Sequence, residues 1–298
     1  MDPLGGRRRA LGLGVALLTG GALLWAGRSP TVRAFLRGRG DAELAALLAE
    51  VLPGAGVELP VRFGDAVPRM VAAGAISPAR FERLYAARGG VPGWVRSLFE
   101  RPSADPIRIS AASAPWLLNL LWPLGLSNRT AFNAQSSLSS ATLRSNLAST
   151  GGWRLGERPG SELFNSAEIV ALDSAAEAAV ERAARASFRP CCDNSTFFQD
   201  CNHGSALLGL YELAAAQGAG APELFRIGKV ANSYWFPQQY AATAIYFRRF
   251  EDLGWTKVDP ARLMGRRYSS ATGWLRNVDT RLGAKQLRRG AGSTGSDC

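Results

Sequence analysis

Apolar and polar positions along the chain alternate with helical rather than strand periodicity, in segments divided by Pro/Gly loops. Residues 41–52 predict a short amphipathic helix with Asp41 as cap and Pro53-Gly54 as stop. Residues 78–88 repeat the logic: Ser77 caps, Pro78 takes the first turn, Gly89-Gly90 ends it, and Phe81, Leu84 and Tyr85 form the apolar stripe. A further short helix is predicted over 92–99. Residues 115–126 (PWLLNLLWPLGL) are apolar all round, which marks a helix buried in the core or facing a membrane, and twelve residues containing Pro123 are too few to span a bilayer. Residues 127–165 are polar and Ser/Asn-rich and read as a long irregular connection, where a subdomain boundary would fall. A long helix is predicted from Ala167 to Phe188, started by Asn165 or Ser166 and ended by Pro190, and three more over 204–217, 222–233 and 238–253. No alternation of period two is recognised beyond five residues. The expected fold is therefore mainly α: a multi-helix globular domain over 41–289 with long irregular loops, a flexible tail at 290–298, and a targeting or anchor segment over 1–40.

The charge of the chain is confined to its ends. Its formal net charge is +11, but residues 1–40 contribute +6 (seven Arg, one acid), residues 257–298 contribute +6 (nine Lys/Arg, three Asp), and the body between sums to −1. A nucleic-acid surface needs a basic stripe interleaved with aromatics on the folded body, so no nucleic-acid partner is expected. Basic ends suit an anionic membrane surface instead.

The N-terminus supports that reading. Arg7-Arg8-Arg9 precedes an uncharged apolar stretch from Ala10 to Gly27, the pattern of a charged n-region before an h-region. The string Arg8-Arg9-Ala10-Leu11-Gly12 resembles a bacterial twin-arginine export signal, with Leu11 where that motif prefers Phe. The resemblance implies a protein anchored in the inner membrane through residues 10–27 and facing the periplasm, or secreted to it. Ala26 has Leu24 rather than a small residue two positions before it, so a good cleavage site is missing.

The chemistry lies in one cluster. Three of the four cysteines and the single histidine fall between 191 and 203, as Cys191-Cys192-x8-Cys201-Asn202-His203-Gly204. Pro190 ends a helix, Asp193 to Thr196 are turn formers, and Phe197-Phe198 supplies an apolar anchor. Asp200 or Asn202 would cap the next helix, on which His203, Leu207, Leu210, Tyr211 and Ala214 share a face. Two chemistries fit. Thiolates with one imidazole suit a zinc or copper(I) ion held by Cys191, Cys192, Cys201 and His203. Alternatively Cys201, at the positive end of a helix, is a reactive thiolate with His203 as its acid/base and Cys192 or Cys191 as resolving thiol. The third possibility is a plain disulfide of Cys201 with one of the pair. A c-type haem is excluded, because Cys-x-x-Cys-His is absent. Cys298 stands apart, beyond the Gly/Ser tail. Asp200 and Glu212 are candidate partners of His203, with capping and a solvated face as the plainer roles. Trp235, Tyr240 and Tyr246 are read chiefly as core.

Overall fold

The structure is a computed structural model and describes residues 41–145 and 153–283. The apolar segment 10–27, the Gly151-Gly152 pair, the 290–298 tail and Cys298 lie outside the described residues. Within them the protein is mainly helical with one small two-stranded sheet.

Helix α1 (Asp41–Val51) leads into strand β1 (Val57–Gly64), followed by α2 (Ala66–Ala72), α3 (Pro78–Tyr85), α4 (Gly93–Glu100) and strand β2 (Ser103–Ile109). Ser77 caps α3 through its hydroxyl, Pro78 occupies the first turn, and Gly89 and Gly90 both adopt the left-handed φ that the termination requires. The sheet corrects the sequence reading. In β1, Leu59, Val61 and Phe63 are buried while the residues between them face out, a period-two pattern over the full strand. Two prolines hide it: Pro60 stands at an outward position of β1 and Pro106 lies in β2, and proline argues against a strand wherever it is met. The strands are antiparallel, pairing Val57 with Ile109 and Gly64 with Ser103, with irregular register around Arg62.

The centre of the molecule is the crossing of α5 (Ala114–Ser127) with a later helix. Pro123 is accommodated inside α5, and the helix is buried from Leu120 to Ser127, so its all-round apolar character reflects a core position. Residues 128–165 contain helical turns at Ala131–Ala134, Ser137–Ser139, Ala141–Ser145 and Gly160–Leu163. The long helix expected from Ala167 is shorter: α6 spans Ser174–Ala186, and Asp173 is its cap, its carboxylate accepting the Ala176 N–H at 2.8 Å. Upstream, Asn128 Oδ1 accepts the N–H groups of Ile169 and Val170, which ties both backbone donors outside a helix, in a bend before α6.

Helix α7 (Asn202–Ala216) crosses α5 with its backbone almost touching. A Cβ at Gly209 would lie 2.6 Å from the Leu121 carbonyl oxygen, and one at Gly125 would overlap the Ser205 carbonyl. Helices α8 (Ala221–Trp235) and α9 (Pro237–Glu251) follow, separated at Phe236 as expected. Short helical turns over 260–282, not anticipated from the sequence, close the chain against α8, α9 and the cysteine loop. One apolar core runs from Leu47 to Leu282. Among the described residues no helix is long and apolar enough to cross a membrane.

Candidate metal centre

The cysteine loop is built by the residues that flank it. Leaving α6, the chain is pinned by the Ser187 hydroxyl against Tyr211 on α7 (2.8 Å) and by the Phe188 N–H donating to the Met264 carbonyl (2.8 Å). It turns at Pro190 and comes back antiparallel to itself, the Thr196 N–H donating to the Ser187 carbonyl at 2.9 Å. Phe197 anchors the return under Arg185 and beside Phe132, and Phe198 packs on the small cluster of Leu126, Leu138 and Phe164. The apolar anchor expected from Phe197-Phe198 is present.

The loop closes on Arg189, whose side chain is fully buried. Its Nε–H donates to Cys201 Sγ at 3.2 Å, one terminal nitrogen donates to the Asn194 carbonyl at 2.9 Å, and the other reaches Asp200 Oδ1 at 2.8 Å and the Phe198 carbonyl at 3.4 Å. Burial works against the charge of this guanidinium, but the sulfurs of Cys201, Cys192 and Cys191 outweigh it, so its pKa is raised and it stays a cation. The Asp200 carboxylate pairs this buried cation, and the neighbouring sulfurs can share its charge. Gly204 leaves the room for it: a Cβ there would meet the guanidinium at 2.5 Å.

Cys201 is the hub and caps α7. Its Sγ accepts the Gly204 N–H at 3.4 Å in addition to the Arg189 bond, so two N–H donors and a helix N-terminus converge on one sulfur. The expectation that Asp200 or Asn202 caps this helix is therefore corrected. Asp200 is taken up by Arg189 and by the Asn194 side-chain amide at 2.7 Å, while the Asn202 side chain accepts the neighbouring His203 N–H. Burial raises the Asp200 pKa above its usual range even though Arg189 pulls it down.

The four residues expected to converge do so as two overlapping sets that share Cys201. The ligand atoms of Cys191, Cys201 and His203 lie within 4.8 Å of one another, and so do those of Cys192, Asp200 and Cys201. The Cys191 and Cys201 sulfurs are 3.7 Å apart, within reach of an S–H···S hydrogen bond and not joined in a disulfide. Cys192 Sγ is 4.0 Å from Asp200 Oδ1. A hydrogen bond with Cys191 pulls the Cys192 thiol down, but hydrogen bonding to Cys201 together with burial outweighs it and pushes it up to about 11. At neutral pH Cys192 is therefore a neutral thiol. His203 is buried, its ring 4.6 Å from that of Phe236 and edge-on to Trp235 at 6.3 Å. Cys191 and Cys192 are half-buried, so the cluster opens to solvent on their side.

The chemistry this permits can be tested on the sulfur spacing. A tetrahedral zinc with Zn–S bonds near 2.3 Å sets its two sulfurs about 3.8 Å apart, close to the 3.7 Å found. A disulfide would need about 2.05 Å. Cys191, Cys201 and His203 fit a soft metal ion in donor type, number and spacing.

Other expectations resolve differently. Asp200 pairs with Arg189 and Glu212 is remote from the cluster's bonds, so neither is shown as a partner of His203. Glu212 does not lie on a solvated face: it is fully buried, and neither carboxyl oxygen has a hydrogen-bond partner. Tyr240 and Tyr246 are core residues, and Trp235 is half-buried at the histidine. Comparison with models of protein families, with curated proteins and with solved structures finds no match to this chain.

Proposed function

We propose that this protein binds one thiophilic metal ion, zinc or copper(I), through Cys191, Cys201 and His203, with Cys192 as a further sulfur at the rim. The observation that carries the reading is the approach of these donor atoms to within 4.8 Å of one another around a tetrahedral-edge sulfur spacing. Charge balance favours zinc. Two thiolates, the Arg189 cation, the Asp200 carboxylate and a dication are neutral together, whereas copper(I) leaves one negative charge in a largely buried site. Two sulfurs and one imidazole leave a fourth position free on the open side, the arrangement of a zinc that takes up water or substrate rather than a closed structural one. The protein works at or beyond a membrane, tethered or exported through its Arg7–Gly27 segment. Metal analysis of the full-length chain purified under reducing conditions, paired with thiol counting, tests this. One equivalent of metal per chain with Cys191 and Cys201 protected from alkylation supports it. Metal-free protein that takes up neither ion would end it.

A second reading rests on a different observation. Cys201 receives two N–H donors and has Cys191 in van der Waals contact, which suits a nucleophilic thiolate with a resolving partner. Attack of the Cys201 thiolate on a substrate disulfide would expel a thiolate and leave a mixed disulfide. Attack by Cys191 on the Cys201 sulfur would then form the intramolecular disulfide and release the second thiol. Disulfide reductase activity abolished by zinc would favour this reading over a resident metal.

A further inference from the structure

Beside the cysteine loop lies a cleft of about 500 Å³ that the metal reading leaves unused, walled by Arg266, Arg267 and Arg276 together with Ser270, Thr272 and Asn277. Its size is that of a small-molecule site. We infer that it binds a phosphate-bearing ligand, either a small phosphorylated molecule or the headgroup of an anionic phospholipid.

Charge and pairing carry the inference. All three arginines are exposed at the cleft, and none has a carboxylate within ion-pair distance among the described residues, although Arg96, Arg185 and Arg262 elsewhere are each paired with a glutamate. Arg266 lies over the Phe188 ring at 4.7 Å and Arg267 over Tyr268 at 5.3 Å, contacts that orient a guanidinium without neutralising it. Asp193 offsets part of the Arg266 charge, but three like charges around one concavity still outnumber one carboxylate and repel each other, and a dianion with several acceptor oxygens relieves that repulsion while accepting forked hydrogen bonds. Three of the nine basic residues of 257–298 thus stand around one concavity.

The remaining wall groups are already engaged in holding the cleft's shape. The Ser270 hydroxyl accepts the Gly273 N–H, and the Asn277 amide donates to the carbonyls of Gly273 and Arg267. Arg276 is carried by a π-helical turn, Leu275–Asp279, a widened geometry that recurs at functional sites. Asp193 also lines the cleft and would oppose an anion; its carboxylate accepts both the N–H and the hydroxyl of Thr272, and these bonds, with the nearby Arg266 charge, hold its pKa down. That contact, with the Ala271 N–H donating to the Cys192 carbonyl, makes the cleft wall continuous with the cysteine loop. A ligand anchored there by its phosphate sits next to the thiol cluster, whether or not the cluster holds a metal.

Calorimetric titration of the full-length protein with inorganic phosphate at low ionic strength, alongside co-sedimentation with phosphatidylglycerol and phosphatidylcholine vesicles, tests the inference. The variants are R267Q/R276Q and, as a charge-matched control away from the cleft, R248Q/K257Q. All four positions are exposed, so both variants should fold. The expected result is phosphate binding weakened at least tenfold in R267Q/R276Q and held within twofold in the control. A tenfold loss seen only with phosphatidylglycerol assigns the headgroup as the source. The inference is overturned if neither probe binds the wild-type chain, if R267Q/R276Q binds both within twofold of it, or if the control loses as much. Metal content should be the same in all three proteins, so failure here is separable from failure of the metal reading.

Discussion

Replacing Arg189 by methionine removes the group around which the cysteine loop is folded, and the cost can be worked from its contacts. Four acceptors lose their donor at once: Cys201 Sγ, the carbonyls of Asn194 and Phe198, and Asp200 Oδ1. Hydrogen bonds involving a charged partner contribute about 1.5–3 kcal/mol each, but neighbouring bonds in one network are not additive. Removing one side of a buried ion pair costs about 3–5 kcal/mol because the other charge is left uncompensated. Asp200 is 22% exposed and retains Asn194, which places the expected loss near the lower end, about 3 kcal/mol. That is a fifth or more of the stability of an ordinary domain, about 5–15 kcal/mol. Lysine keeps the charge without the planar fork and reaches fewer of the four acceptors, so Arg189→Lys should fall between wild type and Arg189→Met. Urea unfolding of the three proteins measures this directly. As the donor to a ligand sulfur, Arg189 should also tune the metal, and Arg189→Met should weaken zinc binding by about 10–100-fold. A stability loss under about 1 kcal/mol, the scale of surface substitutions, would refute the claim that the loop is organised around this cation.

Other consequences follow from the same structure. Burial pushes the Glu212 pKa well above its usual value, Asn128 nearby pulling the other way and Glu177 adding to the rise. A carboxyl favoured in its neutral form contributes most below about pH 4.3, the ordinary glutamate value, and that contribution is lost as pH climbs towards the folded pKa. Glu212→Met should therefore raise stability at pH 8 by about 1–3 kcal/mol and flatten its decline above pH 5; unfolding curves from pH 4 to 9 that superimpose with wild type would contradict this. Gly209→Ala forces a Cβ onto the α5 backbone and should cost about 1–3 kcal/mol by thermal unfolding, whereas a neutral result would mean the two helices are not in backbone contact. Arg8→Lys with Arg9→Lys should abolish export, read by cell fractionation, and undiminished export would remove the twin-arginine route.

The legible parts of this chain are those where the signal is local. Ser77, Pro78 and Gly89-Gly90 bracket α3 by stereochemistry alone, and three thiols clustered around a lone imidazole betray the site without any knowledge of the fold. Arg189 was not legible: it is one of 35 basic residues, and only its burial, between the folded-back loop and Gly204 of α7, distinguishes it. The α6 boundary failed for a related reason. Asn128, about forty residues away in sequence, takes the backbone N–H groups of Ile169 and Val170 out of any helix, which no window around those residues reveals. Glu212 sits on a helix that is buried on every side, so its polar character suggested a solvated face that does not exist. The arginine cleft was visible as a charge excess but not as a place, because three positions spread over residues 266–276 meet only through a series of short turns.

X-ray absorption at the zinc and copper edges, on full-length protein purified under reducing conditions, tests the central claim most directly. Zinc occupancy should give two sulfur scatterers at about 2.3 Å and a light-atom shell at about 2.0–2.1 Å made of one imidazole nitrogen and one water oxygen. The outer-shell imidazole scattering should be lost in His203→Gln and one sulfur in Cys191→Ser, with both sulfurs kept in Cys192→Ser. A metal-free protein, a sulfur shell that survives both Cys191→Ser and Cys201→Ser, or a Cys191–Cys201 disulfide persisting under reductant would contradict the account.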